Sequence, residues 1–432
     1  MNGRRLLSGG IGLLLALPAL AAPSAPSADL PPTEIAVRVL DAHPLVRAAE
    51  SGVALERARS DQLEAGPHEL ALTVGGGRRR ETLAETRYAE KEIGLQRAFR
   101  LPGKRGVDVQ LGAAGVAQAQ AQLGDARHEA ARLLLALWFN IRREMAAVDE
   151  WRAEAEVLQE QARAARRRVE LGDAAALEQS LAEAQLAQAE AQSSQARSRL
   201  QLARNELAQH FPALPPPVDA ALAEPQPPAA EDWRERLLNH NHALAAARAA
   251  AQRQRIGADR AERERLPDPT LGLRWSSERD GQEKLFGVQL TIPLPGAARA
   301  AASRGAQAEA EVANAREALA QAAAEADARR AVTQADAAYR QWQQQARVAE
   351  RMEANARLLD RAWRLGEGQL AELITARRLA IEARLGAAQA RADAQESRYR
   401  LLLDAHQLWP LDTCAAHGPS GEDGRSRHAE CD

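Results

Sequence analysis

Aromatic residues supply only 3% of this 432-residue chain. Compact domains of that total size normally use more Phe, Tyr and Trp in their cores, so the shortage argues against ordinary globular domains. The formal net charge is −2, which gives no electrostatic reason to expect a nucleic-acid partner. Beyond the N-terminus no segment is apolar enough for a spanning helix, so a chain of this kind that crosses a membrane has to do so with strands. Proline is missing from two long stretches, one between Pro102 and Pro212 and one between Pro295 and Pro410.

The abundant residues are Ala, Glu, Gln, Arg and Leu, the mixture that best forms helices and lets them pack closely. The two proline-free stretches begin alike, at Leu101-Pro102-Gly103 and Leu294-Pro295-Gly296, and are interrupted alike, at Leu171-Gly172 and Leu365-Gly366. The first pair of sites is 193 residues apart and the second 194. A duplication that keeps its internal spacing points to a tube, ring or array rather than to a single catalytic cleft.

At the N-terminus Arg4-Arg5 precedes an apolar run from Leu6 to Leu20, and Ala19-Leu20-Ala21 has the small-x-small form of a signal-peptidase site. Residues 1–21 therefore read as a signal peptide cleaved after Ala21. Residues 22–32 read as an extended or mobile linker. A first repeat covers 33–211, a Pro-rich linker 212–230, and a second repeat 231–409. The polar tail 410–432 is expected to be disordered.

Each repeat is expected to run helix, β-hairpin, long helix and returning helix. Glu69–Val74 and Ile93–Phe99 alternate at period two, as do Leu271, Leu273 and Trp275 and then Val288, Leu290 and Ile292. These predict two hairpins with strands of about ten residues, enough to cross a bilayer. The helices are expected over 33–65, bent at Pro44, and over 233–265. The 68 residues from Lys104 to Leu171 and the 70 from Gly296 to Leu365 predict helices on the order of 100 Å long. Gly172 and Gly366 mark the reversals, and Leu370, Ile374, Ile381 and Leu385 fit a coiled-coil seam. Four strands leave two open edges in lipid, so the chain must assemble; two copies give eight strands and three give twelve.

With these residues in view, the chain resembles the TolC-like outer membrane efflux proteins over nearly all of its length to about Trp409. The resemblance implies a fold that is mainly α with membrane β: a trimeric 12-stranded β-barrel, four strands per chain, continued by a long α-helical barrel through the periplasm. It implies a passive exit duct, no enzyme and no cofactor, working in a homotrimer with a periplasmic adaptor protein, an inner-membrane pump and outer membrane lipid. The family's tip pattern, Leu-Gly with an acidic residue six positions after the glycine, is matched by Leu171-Gly172 with Glu178 and by Leu365-Gly366 with Glu372. The tips would then dock the adaptor, and the two glutamates would gate the tunnel mouth. Where some members carry a further aspartate this chain has Thr375. His43-Pro44 and the run Ile93–Arg105 resemble the branch that serves cobalt–zinc–cadmium or copper efflux. Drug efflux, type I protein secretion and a soluble periplasmic scaffold are the alternatives.

Three further groups carry open readings. Arg78-Arg79-Arg80 with Arg87, expected at a hairpin tip, are either contacts for lipopolysaccharide phosphates or a solvated loop. Cys414, His417, His428 and Cys431 have mirror-image spacing that suits a soft divalent metal, against a Cys414–Cys431 disulfide or an unstructured tail. Glu178 and Glu372 are either a cation-attracting ring or plain helix residues. Enzymatic motifs fail: His128-Glu129 lacks a second histidine four residues on, and Gly75-Gly76-Gly77 has no following Lys-Ser/Thr.

Overall fold

The computed structural model describes residues 29–82, 85–218, 222–228 and 232–411. The expected leader with its cleavage after Ala21, and the tail residues Cys414, His417, His428 and Cys431, lie outside these. In chain order the helices are α1 (Thr33–Asp41), α2 (Pro44–Ala65), α3 (Lys104–Glu170), α4 (Ala176–His210), α5 (Trp233–Asn239), α6 (His242–Arg263), α7 (Ala297–Arg364) and α8 (Leu370–Asp404). The strands are β1 (Ala71–Glu81), β2 (Thr86–Ala98), β3 (Thr270–Glu278) and β4 (Glu283–Thr291), in one antiparallel sheet of order β1-β2-β3-β4. The same sequence of element types, two helices, two strands and two helices, is thus met before Phe211 and again after Asp232.

Both short helical regions are broken rather than continuous. Pro44 stands at the first position of α2, where its missing N–H is harmless, and it forces His43 into an extended conformation. The His43 Nδ1 accepts the N–H of Leu45 at 3.3 Å. In the second half Asn241 takes the corresponding cap, its Oδ1 accepting from Leu244 N at 2.8 Å.

The long helices α3 and α7 have 67 and 68 residues, about 100 Å each. Their partners α4 and α8 fold back against them, 35 residues apiece. Alanine makes the contact possible. On α4 the buried residues Ala182, Ala189, Ala196 and Ala203 recur every seven positions, and on α7 Ala328, Ala335, Ala349 and Ala356 keep the same phase. A seven-residue period holds a seam on one side of a long helix, and small side chains let the backbones approach closely. Of the four residues expected in an α8 seam, Leu370 and Ile381 are buried, while Ile374 and Leu385 are half-buried.

The largest core lies midway along α3, where Leu134, Leu135, Trp138, Phe139 and Ile141 meet α1, the end of α4 and the end of α8. Residues 29–32, the described part of the segment expected to be an extended or mobile linker, run onto this core. Asp29 is 1% exposed, and its carbonyl accepts the Trp138 indole N–H at 2.7 Å. Its carboxylate accepts from Ala223 N, Gln395 and Tyr399 at 2.9–3.2 Å. A buried carboxylate needs such donors, and having them it pins residues 29–30 and 222–223 onto α3 and α8.

Candidate functional site: a two-faced sheet and two helical tips

The register of the sheet sorts its residues into two faces. Leu72, Leu95, Leu273 and Val288 stand opposite one another in one row, and Val74, Ile93, Trp275 and Phe286 in the next. Leu271 and Leu290 continue the same face. All of these are exposed, from 38% at Trp275 to 72% at Val74. From Phe286 to Leu290 and on past the strand end to Ile292 this face rises roughly 20 Å at about 3.4 Å per residue, close to the apolar band of a membrane barrel.

The opposite face is polar and ion-paired. Arg79 bonds Glu90 at 2.8 Å and Glu278 at 3.1 Å, and Arg274 bonds Glu92 at 2.9 Å. The arginine cluster expected at a hairpin tip is in fact part of β1 and β2, because Arg78, Arg79 and Arg80 pair with Ala89, Tyr88 and Arg87. The pleat then separates it. Arg79 joins the polar face, whereas Arg78, Arg80 and Arg87 cap the apolar face above its last row. Sequence alternation alone missed this continuation because Gly75-Gly76-Gly77 interrupts the apolar pattern.

Where strand passes into helix, buried charges fix the angle. Asp108, 1% exposed, accepts from Arg100 at 2.9 Å and Arg260 at 2.6 Å. Arg100 also donates to the carbonyls of Leu63 and Glu64, the unsatisfied end of α2. Lys104, 4% exposed, bonds Asp268 at 2.8 Å and Glu264 at 3.2 Å. Burial pushes the Asp268 carboxyl up, but His68, Lys104 and the Leu101 N–H together outweigh it and hold it below its ordinary value. Gly103 turns the chain with φ +87°, whereas Gly296 at the second Leu-Pro-Gly site is extended at φ −123°.

At the far ends of the long helices the reversals are built alike. Asp173 N bonds Arg168 O and Gly172 N bonds Val169 O; Glu367 N bonds Ala362 O and Gly366 N bonds Trp363 O. Each is the six-to-one and five-to-two pair of a Schellman motif, with glycine at φ +80° in the left-handed position. Leu171 and Leu365 are left 66% and 69% exposed at the apices. Beneath them Trp363, 2% exposed, packs with Ala162, Ala165, Ala182, Leu370 and Leu373, joining both hairpins in one small core. Arg168 lies over the Trp363 ring, 5.5 Å from its centroid.

Glu178 and Glu372 each occupy the third position of the returning helix. Neither helix has a side-chain cap, so a carboxylate there offsets the positive end of the helix dipole. Glu178 is 3.6 Å from Arg168, and Glu372 is exposed. A cluster of four histidines escaped sequence reasoning, which read His128 only beside Glu129. His128, His240, His242 and His406 converge from α3, the α5–α6 junction and the end of α8, with His128 and His406 separated by 278 residues. The only local signal was His240-Asn241-His242.

No protein-family model matches the chain, and no curated protein matches it. Solved structures do resemble it. The CmeC outer membrane channel of Campylobacter jejuni superposes with a TM-score of 0.75 at 12% identity, covering 87% of this chain and 85% of that one. The outer membrane protein VceC of Vibrio cholerae gives 0.72 at 18% identity, over 88% of this chain and 100% of that one. CusC, described for its folding and transmembrane channel formation, gives 0.69 at 15% identity, over 86% and 91%. The chain therefore has the fold of these outer membrane channels. Among the described residues no helix is long and apolar enough to cross a membrane.

Proposed function

We propose that this chain is one protomer of a trimeric outer membrane exit duct, the outermost part of a tripartite efflux system. The observation that carries the reading is the sheet, apolar and exposed on one face and ion-paired on the other, joined end-on to helical hairpins about 100 Å long. The apolar face meets lipid and the polar face lines a lumen. The Leu171-Gly172 and Leu365-Gly366 tips dock a periplasmic adaptor protein, which couples the duct to an inner-membrane pump. Glu178 and Glu372 line the mouth. Arg78, Arg80 and Arg87 stand level with lipopolysaccharide phosphates, for which guanidinium forks are suited. No step of bond chemistry is needed, because direction comes from the pump.

The cargo we infer is a heavy-metal cation, from the resemblance of His43-Pro44 and Ile93–Arg105 to the metal-efflux branch. The test is metal and drug tolerance in a host carrying the matching pump and adaptor, with the gene deleted or restored. Loss of zinc, cobalt, cadmium or copper tolerance alone supports the cargo. Sensitivity to dyes and antibiotics with normal metal tolerance keeps the duct and overturns the cargo.

A soluble periplasmic scaffold is the rival from another class, and Leu273→Arg separates the two. A charge near the middle of a lipid-facing band costs about 2–4 kcal/mol, so outer membrane assembly is expected to fall. A scaffold carrying the same change stays soluble and unaltered.

A further inference from the structure

The three Schellman turns found among the described residues are not filled alike. Two take glycine, at Gly172 and Gly366. The third ends α8, where Gln407 N bonds Leu402 O and His406 N bonds Leu403 O, and its left-handed position holds His406 at φ +57°. A side chain there is strained relative to glycine, which costs nothing at that position. Something other than backbone economy keeps an imidazole at this point.

Its surroundings show what the imidazole meets. The His406 ring centroid is 4.6 Å from that of His128, 4.9 Å from His242 and 4.5 Å from His240. The Nε2 atoms of His128 and His406 are 2.8 Å apart. One ring nitrogen from each of His128, His242 and His406 falls within 4.8 Å of the others. Nitrogens bound to one tetrahedral ion at about 2.1 Å lie about 3.4 Å from each other, so the His128–His406 pair has to open by about 0.6 Å and the wider pairs to close by at most about 1.4 Å to enclose an ion. Gly124 makes room for the third ring, since a Cβ there would come 2.5 Å from His242 Nδ1. Capping of α6 does not require these rings, because Asn241 performs it.

The setting also suits a cation. His128 is 3% exposed, its ring set against those of His242 and His406. The arginines lining the cavity, Arg132, Arg330 and Arg400, are each paired with acids: Arg132 with Asp404 at 2.8 Å and Glu129 at 2.5 Å, Arg330 with Asp327 at 2.8 Å and Arg400 with Asp404 at 3.9 Å. Asp125 lines the same cavity of about 290 Å³. Glu129 lines it too, so two acidic side chains stand in the cavity beside the histidines, a setting that suits a dication.

We propose that His128, His242 and His406 form a binding site for one borderline divalent cation such as zinc, with His240 or water completing the shell, and that the ion staples the end of α8 to α3 and to the start of α6. Imidazole donors favour zinc, copper and nickel over magnesium or calcium. The site is a resident structural one and does not rest on the cargo being a metal. Loss of the staple and loss of metal tolerance are separable observations.

The experiment uses the full chain, untagged by histidine, purified in detergent and stripped with chelator. Cys414→Ser and Cys431→Ser are included so that tail thiols contribute nothing. Zinc binding is read by calorimetry, the coordination by the visible spectrum of the cobalt-loaded form, and stability by thermal melting with and without zinc. His406→Gly is the decisive variant, because glycine fits the left-handed backbone and the fold should survive. The expected result is one zinc per chain, a tetrahedral cobalt spectrum and a raised melting temperature. His406→Gly should weaken zinc binding at least tenfold while the metal-free protein melts no lower than its parent. His242→Gln should weaken binding likewise. Absence of zinc binding by the parent, or equal binding by His406→Gly and His242→Gln, overturns the proposal.

Discussion

At the scale of the residue, the fold depends on a few buried charges set among alanines. Arg384 on α8 is the clearest case. It bonds Glu150 at 2.8 Å, Glu154 at 2.6 Å and also Glu353, so one guanidinium ties α3 to α7. Glu154 is 2% exposed. Arg384→Ala strands that carboxylate and is expected to destabilise the folded protein by about 3–5 kcal/mol, read as a lower denaturation midpoint. Adding Glu154→Gln should restore part of the loss, which a plain packing defect would not allow. Asp268 makes a second, pH-resolved case. Its folded-state carboxyl is depressed below the ordinary 3.8, so its stabilisation is present above that value and lost as pH falls through the folded one. The melting gap between wild type and Asp268→Asn should be open at neutral pH and close as pH falls below about 3.8.

The element is the scale at which the sequence was most readable. Long helices need only absence of breakers, and the limits expected from Lys104 and Gly296 differ from those of α3 and α7 by a residue or so. The reversals were legible because glycine at φ +80° leaves a mark in sequence. What was not legible followed from distance or from pleat. Arg78–Arg80 looked like a turn because three glycines hide the strand before them. Asp29 looked mobile because its four partners lie far away in sequence. The histidine cluster needed three separate chain segments to meet. The tip glutamates illustrate how two roles share one position. Each serves its helix as a third-position carboxylate, an effect worth at most about 1 kcal/mol at an exposed site. If they also narrow a duct, Glu372→Ala should change single-channel conductance and lower cation preference while leaving the melting temperature within about 2 °C. Unaltered conductance and selectivity would reduce Glu372 to its helical role.

At the scale of the whole molecule, the proposed duct needs a number of copies that closes the open sheet. β1 and β4 are the edges of the described sheet, and edges in lipid must be paired. Two copies would close eight strands, and an eight-stranded barrel is just filled by its own side chains. The inward face here would carry Arg79, Glu90, Glu92 and Arg274, all long side chains in ion pairs, so eight strands leave no passage. Twelve strands would leave one, and the proposed trimer would supply them. Edge-to-edge closure also means that β1 of one copy lies beside β4 of the next, on every side of the ring. With Cys414 and Cys431 changed to Ser, a cysteine at Thr73 on β1 can be combined in turn with one at Gly287, Gln289 or Thr291 on β4. These positions all share the polar face, where disulfide geometry across neighbouring strands is within reach. At the matching register, oxidation should convert the monomer band to a covalently closed trimer, with dimer as a transient on the way. A dimer that accumulates as the end product would mean eight strands, and a lumen too full to conduct.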